Sequence, residues 1–209
     1  MTRRGGHRKG RDQRKKRKFE LKKYLIITDG AKTEVNYFNG LKNGLPEDIR
    51  EKIKIELIKS ESPHTLISDA INKTSKYPYY EVWLVFDRDE VRGFDKIIRE
   101  AYNSDFKVGW SNPCIETWFL LYFGVNPNTV NSKKCINIFA EYFRKKVNKD
   151  YLKNDEKIYQ RLIEYGNEDL AIKISRNRLE EYLDECVKPS MMNGANRIFE
   201  LVEEIRNAE

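Results

Sequence analysis

Five consecutive apolar residues, Val82 to Phe86, run directly into Asp87-Arg88-Asp89. On an extended chain alternate side chains face the same way, so both carboxylates are expected on one side. At a separation of about 5 Å and an effective dielectric near 20, two such charges repel by roughly 3 kcal/mol, and by about a quarter of that when fully hydrated. A divalent cation removes this repulsion. An oxygen-only donor set without His or Cys suits Mg2+ or Mn2+, and Mg2+ takes one or two protein carboxylates and completes its shell with water and phosphate. Asp87 and Asp89 are therefore the expected metal ligands. The competing reading is structural, because aspartate after a strand also caps helices and makes turns.

A second acid stands in a similar place. Tyr24–Thr28, YLIIT, has the apolar, β-branched character of a buried strand and ends at Asp29-Gly30. Acids delivered by separate strands are harder to explain as caps, which favours the metal reading. Gly30 permits a tight turn and close approach of the backbone to a phosphate, although an ordinary turn explains it equally well. Lys32 is read as a phosphate contact or, more commonly for such a lysine, a solvated first-turn residue. Arg88 is expected to point away from its two neighbours, serving structure or meeting phosphate from outside.

These residues need a scaffold that brings strand ends to one edge. KIKIELIKS (52–60) alternates Ile53, Ile55 and Leu57 with Lys54 and Glu56, the pattern of a half-exposed edge strand. Helical spacing appears at Val35, Phe38 and Leu41, at Leu66, Ile67, Ala70 and Ile71, and at Phe94, Ile97, Ile98 and Ala101. FKVGWS (106–111) is the fourth strand, stopped by Asn112-Pro113. Residues 24–111 thus alternate β-α-β-α-β-α-β, which predicts an α/β fold, Rossmann-like, with a mostly parallel four-stranded sheet and flanking helices. Ligands of such sheets bind at the carboxyl ends of the strands. Beyond Pro113 the periodicity is helical throughout, with Pro189 breaking the chain before a last helix. The expected organisation is a basic tail (1–22), an α/β domain (23–125) and a helical extension packed on it (126–209).

The charge of the 209 residues is uneven. The chain carries +7, but residues 1–23 hold 12 Lys/Arg against 2 Asp/Glu, a net of +10, which leaves −3 for the remainder. The tail, with Arg14, Lys15, Lys16, Arg17 and Lys18, has almost nothing apolar to bury and is expected to be disordered. It is read as a sequence-independent nucleic-acid contact, or else a solubilising arm. If about five cations neutralise phosphates, affinity falls by over two orders of magnitude between about 50 and 200 mM salt. Tyr77, Tyr79, Tyr80 and Trp83 are candidates for base stacking, though core positions are the expectation, above all for Trp83.

Cys114, Cys135 and Cys186 show no CxxC spacing, and the two histidines lie far apart, so neither a disulfide framework nor a zinc site is expected. Cys114 lacks a histidine partner for nucleophilic work. Reduced thiols point to the cytoplasm. The longest apolar run, WFLLYF, is far short of the roughly 20 residues that span a bilayer, and no apolar segment follows the basic start, so neither a membrane span nor a signal peptide is expected.

The segments LIITDGAKTEVNYFNGL, VWLVFDRDE, SNPCIETWFLLYF and KPSMMNGANRIFELVEEI, in this order, resemble RloB-like proteins. Those are encoded beside bacterial restriction-modification and phage-defence genes and resemble the Toprim fold of topoisomerases, primases and related nucleases. The resemblance covers roughly residues 23–207. It implies Mg2+ (or Mn2+) on Asp87 and Asp89, and a glutamate after the first strand acting as general acid or base at a phosphodiester of RNA or DNA. In this chain that position is Asp29, one methylene shorter, and small displacements of a catalytic group cost on the order of 100-fold in rate. Glu34, one turn on, is a partial substitute, with a favourable charge at a helix N-terminus as the preferred alternative. Glu116 belongs to the family motif and is a candidate site residue, or equally a buried acceptor for a nearby donor. The implied function is a Mg2+-dependent nuclease of an antiviral defence system, partnered by nucleic acid and by another defence protein, with homo-oligomerisation left open. The alternative is a non-catalytic module that binds nucleic acid or a partner.

Overall fold

The computed structural model describes residues 21–30, 32–89 and 91–208. The basic tail, including Arg14 to Lys18, lies outside them. Four strands, β1 (Lys22–Thr28), β2 (Ile53–Lys59), β3 (Glu81–Asp87) and β4 (Lys107–Ser111), form one sheet in the order β2-β1-β3-β4, and all neighbouring strands are parallel. The α/β class and the four-stranded sheet are as the alternation predicts. β1 and β3 occupy the centre, and Tyr24 to Ile27 and Val82 to Phe86 are buried. That accounts for their continuous apolar runs, since a parallel strand covered on both faces has no polar side. β2 is an edge, and its Ile53 and Ile55 are buried while Lys54 is exposed.

The connections are helical: α1 (Thr33–Gly44), a single turn α2 (Glu47–Arg50), α3 (Leu66–Thr74) and α4 (Phe94–Asn103). α4 buries Phe94, Ile97, Ile98 and Ala101, the stripe its spacing predicts. α2 follows Pro46 directly. α3 starts at Leu66 and not nearer β2, because hydroxyls satisfy the backbone before it: Ser62 N–H donates to Thr65 Oγ1 at 3.2 Å, and Thr65 Oγ1 donates to the Ser62 carbonyl at 3.0 Å. Such local bonding competes with a helix.

After β4 come α5 (Glu116–Tyr122), α6 (Ser132–Val147), α7 (Ile158–Tyr165), α8 (Glu168–Asp184), a 3-10 turn (Pro189–Met191) and α9 (Ile198–Arg206). Every residue of α5 is buried. A buried polar chain ties it to its neighbours: Trp118 Nε1 donates to Tyr37 Oη at 2.8 Å, Tyr37 and Tyr122 share a hydrogen bond at 2.8 Å, and Tyr122 donates to Glu168 Oε1 at 2.7 Å. α1, α5 and α8 are thereby fixed relative to one another.

The C-terminal segment returns to the free edge of β4. Asn196 bridges Ser111 antiparallel, Arg197 N–H donates to the Trp110 carbonyl at 2.8 Å, and Asn112 N–H donates to the Ala195 carbonyl at 3.0 Å. The Asn112 side chain donates to the Pro189 and Ser190 carbonyls at 3.0 and 3.3 Å. The loop that follows β4 is thus held from the far end of the chain. Asn112 is fully buried. Replacing it with alanine is expected to lower unfolding free energy by about 1–3 kcal/mol, since buried carbonyls lose their donor. Urea denaturation measures this, and a loss under about 0.5 kcal/mol would remove the anchoring role.

Candidate functional site

The strand order places a topological switch between β1 and β3. From β1 the chain steps outward to β2, then crosses back to β3 on the other side. The crevice at the carboxyl ends of those two strands is where open α/β sheets receive ligands. Asp29 follows β1 and Asp87 ends β3. The backbones close there: Thr28 pairs with Val85, and Asp29 N–H donates to the Val85 carbonyl at 3.2 Å.

Helices bring two more acids to the same point. Glu34, in the first turn of α1, is 7% exposed, and its carboxylate lies directly over Gly30, so that a Cβ at position 30 would run into it. Gly30 thus leaves room for the carboxylate above it, in a turn where Thr28 Oγ1 donates to the Gly30 carbonyl at 3.1 Å. Glu116 opens α5 at 1% exposure and accepts a hydrogen bond from Tyr151 Oη at 2.9 Å. Burial and then the Glu116 charge hold the Tyr151 phenol well above its ordinary range, so it remains a donor. Asp87 accepts from Ser111 Oγ at 2.5 Å, across the β3–β4 pair.

These four acids act on one another. Burial, then Glu34, pushes Asp29 up to about 7, with a further contribution from Asp89. Burial, then Glu34 and Asp29, raises Asp87 well above the carboxylate range, against the lowering effect of Ser111. Burial raises Glu34 as well, and Glu116 adds to it, while its own backbone N–H and Lys153 pull the other way. Glu34 thus stands in the acid group as well as at a helix N-terminus.

Asp89 departs from the expected geometry. The extended backbone ends at Asp87. Arg88 N–H donates to the Ser111 carbonyl at 2.7 Å, Asp89 N–H donates to the Pro113 carbonyl at 2.9 Å, and Asp89 takes φ +26°. The β4 loop thus turns the chain, and the two carboxylates do not share one side of a strand. Asp89 is exposed and accepts from Ser132 Oγ at 2.6 Å, at the start of α6. Arg88 folds back on its own loop, its Nη1 donating to the Asp89 carbonyl at 2.6 Å. Lys32 precedes α1, exposed and without a capping bond.

Trp83 is buried as expected, but Tyr77 and Tyr80 are exposed, and Tyr79 donates to Glu56 Oε2 at 2.8 Å on the β2 edge. Among the described residues no three His, Cys, Asp or Glu side chains close on a common point as tightly as a metal ion draws its ligands. The donor chemistry nevertheless suits a hard divalent ion. The group is all carboxylate, its members repel one another, and such an ion needs only one or two of them, with water and phosphate filling the rest of its shell. Three polar side chains that donate to acids in and around this group escape the sequence reading: Ser111, Ser132 and Tyr151. Only Ser111 carries a signal there, as the first residue of SNPC.

The family model described as RloB-like protein matches residues 24–205. No curated protein and no solved structure matches the chain. Among the described residues no helix is long and apolar enough to cross a membrane.

Gly30→Ala is expected to displace the Glu34 carboxylate while leaving the strands intact. Its circular dichroism should match the parent, and its thermal shift with Mn2+ should fall. An unchanged shift would mean that Glu34 has no part in the group. A second expectation concerns pH. Asp29 is raised in the folded protein, so its favourable contribution is complete below about pH 4 and is lost as pH rises through about 7. In EDTA, the melting temperature of Asp29→Asn should therefore gain on the parent from pH 4 to 7 and level off above. A pH-independent difference would contradict the shift.

Proposed function

The chain belongs to the RloB-like family, and from the acids gathered at the β1–β3 edge we propose that it is a Toprim-type, divalent-metal-dependent nuclease of a bacterial antiviral defence system, hydrolysing phosphodiesters of RNA or DNA. One observation carries this reading: Asp29, Glu34, Asp87 and Glu116 converge from two strands and two helices on the ligand-binding edge of a parallel sheet, with Asp29 raised to about 7. Acids perturbed by burial and by one another at a ligand-binding edge make a functional-site candidate with a stated physical basis. The defence role rests on the genes that accompany RloB-like proteins.

In this reading Asp87 and Asp89 hold Mg2+ or Mn2+, oriented by the Ser111 and Ser132 hydroxyls. When bound, the ion neutralises negative charge developing on the phosphoryl oxygens. Asp29, with a proton affinity near neutrality, takes a proton from a water or sugar hydroxyl and returns it to the leaving oxygen. Burial and then the charge of Glu34 hold Asp29 in that range, and Tyr151 keeps Glu116 in place. The tail supplies non-specific attraction for nucleic acid through its charge. A non-catalytic binding module is the second reading, favoured by the short side chain at position 29 and the outward turn of Asp89.

Cleavage of single-stranded RNA and DNA with Mn2+ separates the two. Asp87→Asn and Asp89→Asn are each expected to reduce the rate at least about 100-fold, and the double variant is expected to lose the thermal shift with Mn2+. Cleavage that survives both substitutions overturns the nuclease, and a parent protein that binds nucleic acid without cutting it establishes the module.

A further inference from the structure

The connection between α6 and α7 lies outside the sheet, yet it touches the acid group at Glu116 and is tied to α1 beside Glu34. Asn148, at φ +56°, turns the chain back at the end of α6. Tyr151 then packs on the helix just left, its ring 4.7 Å from that of Phe139 and 5.8 Å from that of Phe143. Its hydroxyl reaches Glu116 at 2.9 Å. Two residues later the Lys153 carbonyl accepts from Thr33 Oγ1 at 3.0 Å, which fixes its backbone at the first turn of α1, next to Glu34.

The charges of this strap are sorted. Asp150 pairs with Arg144 at 2.7 Å, and Asp155 pairs with Arg161 at 2.8 Å, the latter off the hydrogen-bond line. Lys153 is exposed. Residues 132–157 hold eight Lys/Arg against four Asp/Glu, a net of +4, although the chain beyond residue 23 carries −3 in total. This net-positive stretch, α6 and the connection together, runs past the acids from Asp89, which Ser132 meets, to Glu116, which Tyr151 meets.

Four carboxylates repel a polyanion, and a site that receives a phosphodiester needs a cation facing them. We propose that the strap is the phosphate-facing wall of the site. Lys153 meets a non-bridging oxygen of the substrate phosphodiester as a point charge, and Tyr151 holds the strap in place through Glu116. Lysine suits this contact because its flexible stem carries three donors to an oxygen. The lowering effect of Lys153 on Glu34 agrees with a side chain turned toward the acids. The inference rests on the nuclease reading and adds to it the residue that binds the substrate phosphate.

The test uses the full chain and the dinucleotide thymidylyl-thymidine, which is too short to bridge to the tail, with Ca2+ in place of Mg2+ to limit turnover. Calorimetry and thermal shift are followed first with Ca2+ alone and then with the dinucleotide added. Lys153→Ala should keep the Ca2+ response and bind the dinucleotide at least about tenfold more weakly, as expected for losing a charged hydrogen bond. Lys153→Arg should restore most of the binding. Lys42→Ala, about 14 Å along α1 from Thr33, should leave it unchanged. Undiminished binding by Lys153→Ala, or a parent protein that responds to Ca2+ but not to the dinucleotide, overturns the inference while the metal site stands. A parent protein without any Ca2+ response overturns the nuclease reading and the inference with it.

Discussion

Like charge held in a partly dry place is the constraint on which this structure turns. Burial and neighbouring like charge raise the proton affinity of Asp29, Glu34 and Asp87 at the centre of the sheet edge, and the Glu116 charge adds to it at Glu34 and Asp87. A fold selected for stability alone has little reason to gather two buried and two half-buried acids, because neutral residues of similar volume would remove the repulsion. What surrounds them is an arrangement for holding them. Ser111, Ser132 and Tyr151 donate to three of the acidic side chains in and around the group, and each comes from a different element. Gly30 contributes by having no side chain, since any Cβ would displace Glu34.

The acids keep their places because distant parts of the chain are locked to the sheet. β4 carries Ser111 and leads into the loop whose carbonyls turn Arg88 and Asp89. That loop is held in turn by Asn112 and by residues 189–197, nearly eighty positions later. On the opposite side, the buried Trp118–Tyr37–Tyr122–Glu168 chain keeps α5 against α1, and hence Glu116 near Glu34. The helical part of the molecule is thus a brace for the site as well as a cover for the sheet.

The sheet was legible in the sequence because parallel strands buried on both faces are continuous apolar runs, and VWLVF and YLIIT are unambiguous in that respect. Acids at strand ends were legible for the same reason, since topology alone carries them to one edge. The shape of the Asp87–Asp89 turn was not, because it is set by the Ser111 and Pro113 carbonyls, contacts that no local pattern encodes. Glu34 was legible as a helix N-terminal charge, while its place above Gly30 depends on how α1 leaves β1. Tyr151 lies 35 residues from the carboxylate it serves, in a loop without periodicity, so spacing gave no indication of it.

The short side chain at position 29 gains a different meaning in this setting. Taken alone, an aspartate there withdraws a carboxylate from the crevice by over an ångström relative to a glutamate, on the order of one methylene. The β1 end, however, presents two acids rather than one, because Glu34 folds back over Gly30 beside it. Burial comes first in raising each of them, and the charge of Glu34 adds to it at Asp29. Two coupled carboxylates titrate as a pair, and one of them retains a proton to higher pH than either would alone. A shorter acid next to a longer one can divide the tasks of holding charge and moving a proton that a lone glutamate would have to combine. On this argument the reach lost at position 29 is a redistribution within the acid group, and Gly30, Glu34 and Asp29 form one functional unit.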